Sequence, residues 1–316
     1  MRIDIVVPCY NEEAVLPDSA RRLIDLLSSM TAAGQVAGGS RILFVDDGSC
    51  DDTWRLIRTL AAADPRVAGI RLSRNMGHQV ALLAGLLESR ADAAISIDAD
   101  LQDNIGAMPT MVEHCRAGCD IVYGVRAKRD GDTVFKRLTA GLFYRAMNRI
   151  GVALVPHHGD FRLLSRRALD CLAEYRETNL FLRGLVTQLG FRTATVDYER
   201  SARRAGESKY PLRRMLALAL DGVTSFSAAP LRATTAVGAL AVLASVFMTA
   251  WVLWIRFGTD SAVPGWASTV IPMYFLGGMQ LLCIGVVGEY LARVYLEVKH
   301  RPRYFIDERI GQGQGG

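Results

Sequence analysis

The sequence predicts an α/β domain with a mostly parallel β-sheet, joined to a helical hairpin that crosses a membrane. Over the first hundred residues, four short apolar runs alternate with stretches whose apolar residues recur at helical spacing. Each run ends in a polar turn, as expected where parallel strands reach the edge of a sheet that binds ligands. Two long stretches without charge follow at 234–255 and 266–288.

The strands and helices of the first hundred residues follow one another in a regular order. The run at 3–8 predicts a buried strand, followed by a helix that ends near Met30. The segment "RILFVDD" predicts a second strand, with a helix from Thr53. The segment "RVAGIRL" predicts a third strand with a helix at 79–89, and "AAISID" predicts a fourth strand. Strands connected by helices in this way pair in parallel.

Composition divides the rest of the chain. A basic loop is predicted around 126–134, and a second basic loop precedes a helix at about 211–225. That helix has an apolar side opposite Arg213 and Arg214, which suits either a membrane interface or a protein core. We therefore expect a cytoplasmic α/β domain at 1–210, a juxtamembrane amphipathic helix at 211–232, membrane helices at 233–256 and 266–288, and a cytoplasmic C-terminal helix and tail at 289–316.

The two uncharged stretches are long enough to cross a bilayer. Each has about 22 residues, and a helix rises about 1.5 Å per residue through a hydrocarbon core about 30 Å thick. Arginines and lysines flank the pair on both outer sides, whereas the connecting loop has only Arg256 and Asp260. The excess of positive charge places both flanks in the cytoplasm. The N-terminus enters a strand at once, so no signal peptide is expected.

Charge and cysteine content exclude several classes of protein. The net charge is +5, from 37 basic and 32 acidic residues, which would suit nucleic acid, anionic lipid or phosphorylated ligands. Acidic turns would repel nucleic acid, and no nucleic-acid-binding motif occurs. The six cysteines form no CxxC pair and no zinc-site spacing. Scattered cysteines are typical of a reducing compartment.

Paired carboxylates follow the fourth strand in "ISIDADLQDN". Side chains two apart on a strand point the same way, so Asp98 and Asp100 can face one site. Two adjacent ionised carboxylates repel each other, and a hard divalent cation removes this repulsion. Mg²⁺ or Mn²⁺ commonly bridges carboxylates and substrate phosphates. Asp46 and Asp47, after the second strand, can accept hydrogen bonds from a base or ribose, although a helix N-cap is the alternative.

Basic residues in the two loops can surround phosphates that a metal alone does not neutralise. The alternative for each of them is a solvated surface charge. The candidates are Arg126, Arg129, Lys136, Arg137, Arg200, Arg203 and Lys209.

Six segments together resemble a known family. In chain order they are "VVPCYNEE", "VDDGSCDDT", "RNMGHQVALLAGL", "DADLQD", "GDFRLLSRRAL" and "RRAGESKYPLRRM". The sequence resembles the family 2 glycosyltransferases that act on polyprenyl phosphate, such as dolichyl-phosphate mannose synthases and undecaprenyl-phosphate glucosyltransferases. The resemblance extends over about residues 3–305. One departure is Asn104, where many relatives have proline.

The resemblance implies a GT-A fold and inverting transfer of one hexose from a nucleotide-diphosphate donor, with Mg²⁺ or Mn²⁺. The implied metal ligands are Asp98, Asp100 and Gln102, and the implied catalytic residues are Asp98, Asp100, Asp160 and Arg203. The implied nucleotide-sugar residues are Pro8, Tyr10, Glu12, Asp46, Asp47, Gln79, Asp98 and Asp100. The implied phosphate-binding residues are those of the basic loops together with Ser208.

The resemblance also implies partners and location. The acceptor would be undecaprenyl phosphate in a bacterial inner membrane, the protein multi-pass and homo-oligomeric, and the product used in cell-envelope glycan or lipopolysaccharide modification. UDP-glucose is the first-choice donor, with UDP-aminoarabinose derivatives, GDP-mannose, UDP-galactose and UDP-N-acetylhexosamine as alternatives. Asp160 would position sugar or acceptor, or abstract a proton. A non-catalytic membrane-anchored nucleotide-sugar-binding protein and a nucleotidyltransferase are the competing classes.

Overall fold

The computed structural model describes residues 1–126, 158–175, 177, 182–199, 229–258 and 265–311. These residues belong to two compact units. The first unit contains the residues up to 199 together with 301–311. The second unit contains 229–258 and 265–300.

The first unit is built on an eight-stranded sheet. Its spatial order is β7-β5-β6-β4-β1-β2-β3-β8. The pairs β1–β2, β1–β4, β2–β3 and β5–β7 are parallel, whereas β6 pairs antiparallel with β4 and β5, and β8 pairs antiparallel with β3. The strands are β1 Ile3–Cys9, β2 Arg41–Asp46, β3 Val67–Leu72, β4 Ala93–Ser96, β5 Ile121–Arg126, β6 His158–Ser165, β7 Thr193–Tyr198 and β8 Ile306–Ile310.

Helices connect the strands much as the sequence predicts. The helix α3 begins at His78, one residue before its predicted start, and α2 begins at the predicted Thr53. A short 3-10 turn, Ile105–Ala107, precedes α4. The helices of the first unit are α1 Leu16–Ala32, α2 Thr53–Ala63, α3 His78–Glu88, α4 Met108–Arg116, α5 Arg166–Glu174 and α6 Leu182–Gln188.

The central strands are buried on both faces. Every residue of β1 and β4 is buried, as expected for parallel strands that helices cover on either side. The helix α1 packs Leu16, Leu23 and Leu27 into this core. The run of apolar residues in each strand is therefore a consequence of double-sided burial, and it places the polar turns at the carboxyl edge of the sheet.

Strand β8 corrects the prediction for 289–316. A C-terminal helix and tail were expected there, but the helix ends at Val298 and Ile306–Ile310 joins the sheet beside β3. The indole nitrogen of Trp54 donates a hydrogen bond to Glu308 at 2.9 Å. The backbone N–H of Ser73 donates to the carbonyl of Phe305 at 2.9 Å. Exposure alternates along β8, but its sequence has three charged residues between Ile306 and Ile310 and does not show the apolar alternation that predicts a strand.

The second unit consists of two long helices, α7 Ala229–Gly258 and α8 Gly265–Val298. The predicted spans at 233–256 and 266–288 lie within them. Among the described residues, one helical segment, Phe275–Val298, is long and apolar enough to cross a membrane, and Ala233–Met248 is a shorter apolar stretch. By length and composition, therefore, the described residues contain one candidate span where the sequence predicts two. It lies nearer the C-terminus than the predicted 266–288.

Close packing of α3 on the sheet depends on Gly85. A Cβ atom at this position would lie 2.4 Å from Cγ1 of Val6 in β1 and 2.6 Å from Cγ2 of Val45 in β2. Glycine thus lets the helix approach the two strands. This approach matters because α3 begins with His78 and Gln79, two residues at the carboxyl edge of the sheet.

We predict that Gly85→Ala destabilises the first unit. Overpacking a core costs about 1–3 kcal/mol, which exceeds the gain of about 1 kcal/mol from replacing glycine by alanine in a helix. A net loss of about 1 kcal/mol lowers Tm by about 2–4 °C in a domain of this size. Thermal unfolding of the purified chain measures the shift. Gly38→Ala is the control, because no atom lies within 4 Å of its added Cβ; equal Tm values for the two variants would contradict the packing argument.

Candidate active site

Strand register brings two acidic residues together at the carboxyl edge of the sheet. Ser96 at the end of β4 pairs with Arg162 in the antiparallel strand β6. Asp98 lies two residues after Ser96, and Asp160 lies two residues before Arg162. Because the strands are antiparallel, both aspartates lie at the same end of the pair. The side chain of His78 lies between them, with Nε2 at 3.5 Å from Oδ1 of Asp98 and 3.4 Å from Oδ2 of Asp160.

The turns after β1 and β2 are cross-linked to each other. The side-chain oxygen of Asn11 accepts a hydrogen bond from the backbone N–H of Cys50 at 2.9 Å, and the N–H of Asn11 donates to Oγ of Ser49 at 3.0 Å. The N–H of Glu12 donates to Oγ1 of Thr53 at 2.9 Å. Asn11 has a φ of 54°, a left-handed conformation that asparagine tolerates better than most residues. These bonds fix the rim that carries Tyr10 and Glu12.

Asp46 and Asp47 have different environments. Asp47 accepts the backbone N–H groups of Met76 at 2.7 Å and Gly77 at 2.9 Å, so its carboxylate holds the loop before α3. Asp46 is fully buried, and its Oδ2 lies 3.5 Å from Nε of Arg71 without a hydrogen-bond partner among the described residues. Burial raises the pKa of Asp46 in spite of its contacts with Ser49. Of the two, Asp46 has a buried oxygen that no described residue satisfies.

The turn after β4 is tightly constrained. Leu101 has a φ of 43° and is buried, a conformation that costs about 1–2 kcal/mol for a residue with a Cβ. The side-chain amide of Gln102 donates to Oδ2 of Asp100, and its backbone N–H lies 3.3 Å from Oδ1. Asp100 is exposed. Gln102 therefore orients Asp100.

The donor set at this turn fits a divalent cation. Oδ1 of Asp98 is buried without a hydrogen-bond partner in the described part of the chain. Burial raises the pKa of Asp98, and Asp160, Asp103 and Asp100 raise it further, against the effect of His78. Hard oxygen atoms in a negative field are what Mg²⁺ and Mn²⁺ prefer. Among the described residues, no group of three His, Cys, Asp or Glu side chains is arranged to hold a metal, so other ligands would come from Gln102, substrate and water.

Asp160 is the centre of a network of positively charged and polar side chains. Oδ1 accepts from Nη2 of Arg162 at 3.0 Å and from Nε of Arg183 at 3.2 Å. Oδ2 accepts from Nη2 of Arg183 at 3.2 Å and lies 3.4 Å from Nε2 of Gln79. Arg183 thus forms a bidentate pair with this carboxylate, and Arg162 supports it from a fully buried position.

This network decides the protonation of Asp160. Burial raises its pKa, but the hydrogen bond with His78 and the charges of Arg162 and Arg183 outweigh burial and hold the pKa well below its usual range. Asp160 is therefore an ionised carboxylate and a very weak base. As the role of Asp160, the geometry therefore favours positioning of the sugar or acceptor over abstraction of a proton.

Arg126, at the end of β5, lies in a second cluster. Its Nε is 3.5 Å from Oδ1 of the buried Asp103 and 3.4 Å from the hydroxyl oxygen of Tyr198. Burial and Asp103 raise the pKa of Tyr198, so its hydroxyl is neutral. A Cβ at Gly159 would lie 3.1 Å from Nη2 of Arg126, which means that glycine leaves room for this guanidinium.

The structure places the predicted residues in three groups. Pro8 is buried within β1, and Tyr10 beyond it is 44% exposed. Four predicted residues lie at the candidate site: Asp98, Asp160, Gln79 and Arg126. The predicted phosphate-binding residues Arg129, Lys136, Arg137, Arg200, Arg203, Ser208 and Lys209 lie outside the described residues.

Sequence reasoning missed His78, Arg162 and Arg183 as site residues. His78 stands in the turn after a strand, where ligand-binding side chains are expected, and this position was an available signal. Arg162 lies two residues from Asp160 on β6, so both point to one face. Arg183, in "FLRGL", carries no comparable signal, because its contact with Asp160 depends on tertiary packing.

Solved structures of low similarity match part of the chain. Glucosyl-3-phosphoglycerate synthase from Mycobacterium tuberculosis, in complex with Mn²⁺, UDP and phosphoglyceric acid, is 22% identical with a TM-score of 0.47. The match covers 71% of this chain and 76% of that one. Mannosyl-3-phosphoglycerate synthase from Rubrobacter xylanophilus is 18% identical, also with a TM-score of 0.47, over 85% and 80% of the two chains.

Sequence relatives match over nearly the whole length. An uncharacterized glycosyltransferase of Bacillus subtilis, YkoT, is 47% identical over 96% of this chain and 91% of its own. The bactoprenol glucosyl transferase of Shigella phage SfX is 39% identical over 98% and 100% of the two chains. The prophage bactoprenol glucosyl transferase homolog of Escherichia coli K12 is 38% identical over 97% and 98%. The model of glycosyl transferase family 2 matches residues 4–173, and the chain, with its GT-A-like α/β fold, belongs to this family.

Proposed function

We propose that this protein transfers a hexose, with inversion, from a nucleotide diphosphate to a polyprenyl phosphate at the cytoplasmic face of a membrane. The observation that carries the proposal is the cluster of Asp98, Asp100 and Asp160 at the carboxyl edge of the sheet, next to Arg126 and Arg183. The cluster combines carboxylates that suit a cation-bound diphosphate with guanidinium groups that suit a phosphate. Glucose from UDP-glucose is the first choice, since relatives at 38–39% identity are named bactoprenol glucosyl transferases.

The donor would lie across the ends of β1, β2 and β4. At the cross-linked turns, the nucleoside would lie next to Tyr10, Glu12 and Asp46. Asp98 and Asp100, oriented by Gln102, would hold Mg²⁺ or Mn²⁺ against the diphosphate. The cation supplies stabilisation of the negative charge that develops on the departing diphosphate.

The reaction needs little help with proton transfer. An oxygen of the lipid phosphate forms a bond with the anomeric carbon, while the bond from that carbon to the diphosphate oxygen breaks and its electron pair leaves with the nucleotide. A phosphate monoester is already ionised at neutral pH. Because Asp160 is held ionised by its arginine and histidine neighbours, its task is to fix those neighbours around the sugar and phosphate.

The apolar helix suits the acceptor. Phe275–Val298 is long enough to cross a bilayer, and α7 together with α8 would form the membrane hairpin expected from the sequence. An isoprenoid chain stays in the hydrocarbon region because its exposure to water costs about 0.8 kcal/mol per CH₂ group. An enzyme that modifies its phosphate must therefore work at the membrane surface, and basic residues on both outer flanks favour the cytoplasmic side.

We predict that membranes containing the protein transfer label from one nucleotide sugar into the lipid phase. The test incubates them separately with labelled UDP-glucose, UDP-galactose, UDP-N-acetylglucosamine and GDP-mannose, with added undecaprenyl phosphate, and then extracts lipid. UDP-glucose is the expected donor, with UDP released in equal amount. Label from a different donor would replace glucose in the proposal. If no donor of any kind gave labelled lipid, the protein would be a binding protein rather than a transferase.

We also predict that Asp100→Ala lowers kcat/KM by at least about 100-fold, because second-shell changes alone typically cost 10–100-fold in metal sites. Asp100 is exposed, so its removal should leave Tm and membrane retention unchanged. Asp170→Ala, which removes an exposed carboxylate on α5, is the matched control and should keep full activity. Excess chelator should abolish transfer by the wild type, and added Mg²⁺ or Mn²⁺ should restore it. Undiminished transfer in chelator would remove the metal assignment.

A further inference from the structure

The position of Arg183 is fixed by two hydrogen bonds that the backbone of its neighbour Leu182 makes at the start of α6. The backbone N–H of Leu182 donates to Oε1 of Gln79 at 3.3 Å, and its carbonyl accepts from Nη1 of Arg162 at 3.4 Å. Gln79 and Arg162 also contact Asp160. The start of this helix is thus attached to the same carboxylate that pairs with the Arg183 side chain, which leaves the guanidinium little freedom.

One edge of the Arg183 guanidinium is left for a ligand. Nε and Nη2 face Asp160, and Nη1 has no hydrogen-bond partner within the described residues. The side chain is 42% exposed, whereas Asp160 beneath it is 7% exposed. An arginine held at one edge by a buried carboxylate, with the other edge open, is preorganised to bind a second anion.

The charge of a second cation acts on Arg183, since Arg126 lies beside Gly159, the residue that precedes Asp160. Burial lowers the pKa of Arg183 and the contacts with Asp160 more than compensate, but the charge of Arg126 acts against them. Arg126 is itself held by Asp103 at the end of β5. Two guanidinium groups kept near each other by separate buried carboxylates repel, and an anion between them relieves this repulsion.

The strand order indicates which phosphate this is. The nucleoside would lie at β1 and β2 and the diphosphate at β4, whereas Asp160, Arg126 and Tyr198 belong to β6, β5 and β7 on the other side of β4. The acceptor must approach the anomeric carbon from the side opposite the diphosphate. An anion bound by Arg183 would therefore lie on the acceptor side.

We propose that Arg183 binds the phosphate of the lipid acceptor, and that Asp160 acts as a positioning residue that aims it. This inference rests on the proposed transfer to a polyprenyl phosphate. It assigns a binding role to a residue on α6, a helix that the sequence motifs do not include. It also explains why Asp160 is ionised without making it a general base: the carboxylate holds the Arg183 guanidinium in place.

The test compares Arg183→Ala and Arg183→Lys with the wild type, using UDP-glucose, or the donor that the membrane assay identifies, and a short water-soluble isoprenyl phosphate. Loss of one or two charge-assisted hydrogen bonds should raise the acceptor KM about 10- to 100-fold in Arg183→Ala. The donor KM should change less than about threefold. Lysine keeps the charge without the bidentate geometry, so Arg183→Lys should lie between alanine and wild type. Guanidinium chloride at millimolar concentration should partly restore Arg183→Ala.

Arg192→Ala is the matched control, since Arg192 is an exposed arginine whose side chain donates a hydrogen bond only to the carbonyl of Ala117 among the described residues. It should behave as wild type. A purely structural role for Arg183 would lower Tm or kcat without a selective change in acceptor KM, and that result would overturn the proposal. A selective rise in donor KM would assign Arg183 to the donor diphosphate and would also overturn it. Failure of the wild type to use the isoprenyl phosphate would instead count against the proposed function.

Discussion

The buried carboxylate of Asp160 is the interaction on which the site depends. It is 7% exposed and lies beside Arg162, which is completely buried. A buried cation that loses its partner costs about 3–5 kcal/mol, so neither residue can be removed without a large penalty. The two are held together by strand geometry, because they are two residues apart on β6. From this pair the network extends to His78 and Arg183, and each of these contacts brings a different helix to the same point.

The network also explains how residues far apart in sequence reach one site. The helices α3 and α6 both begin beside Asp160: α3 begins with His78, and α6 begins with Leu182, whose neighbour Arg183 pairs with Asp160. The loop before α3 is held independently by Asp47, which accepts two of its backbone N–H groups. The glycine at position 48 lets this loop approach, since a Cβ there would lie 2.6 Å from the backbone of Arg74. Acidic residues thus serve as structural acceptors within the protein and, in the proposed function, as oxygen ligands facing the site.

Sequence patterns predicted the first four strands and three helices because each depends on local periodicity. They also predicted that Asp98 and Asp100 follow the fourth strand, because the alternating apolar residues that indicate the strand stop there. The same reasoning could not separate Asp46 from Asp47, since adjacent residues with identical chemistry differ here only in their loop contacts. It selected Arg126 but not Arg183, whose contact with Asp160 depends on how α6 packs against β6. Strand β8 was missed because a five-residue strand after a long apolar helix has a weak signal.

The course of the chain through its two units determines how the two apolar helices are connected to the first unit. Residues 301–311 return to the first unit and add β8 to the sheet, so the two apolar helices are an insertion into that unit rather than a terminal extension. Trp54 and Glu88 contact β8 through Glu308 and Arg309, and Arg303 donates to the carbonyl of Tyr175. The segment after the helices is therefore held by strand pairing and by side chains from α2 and α3. Because α3 also supplies His78 and Gln79, the same helix contacts the returning segment at one end and the acidic site at the other.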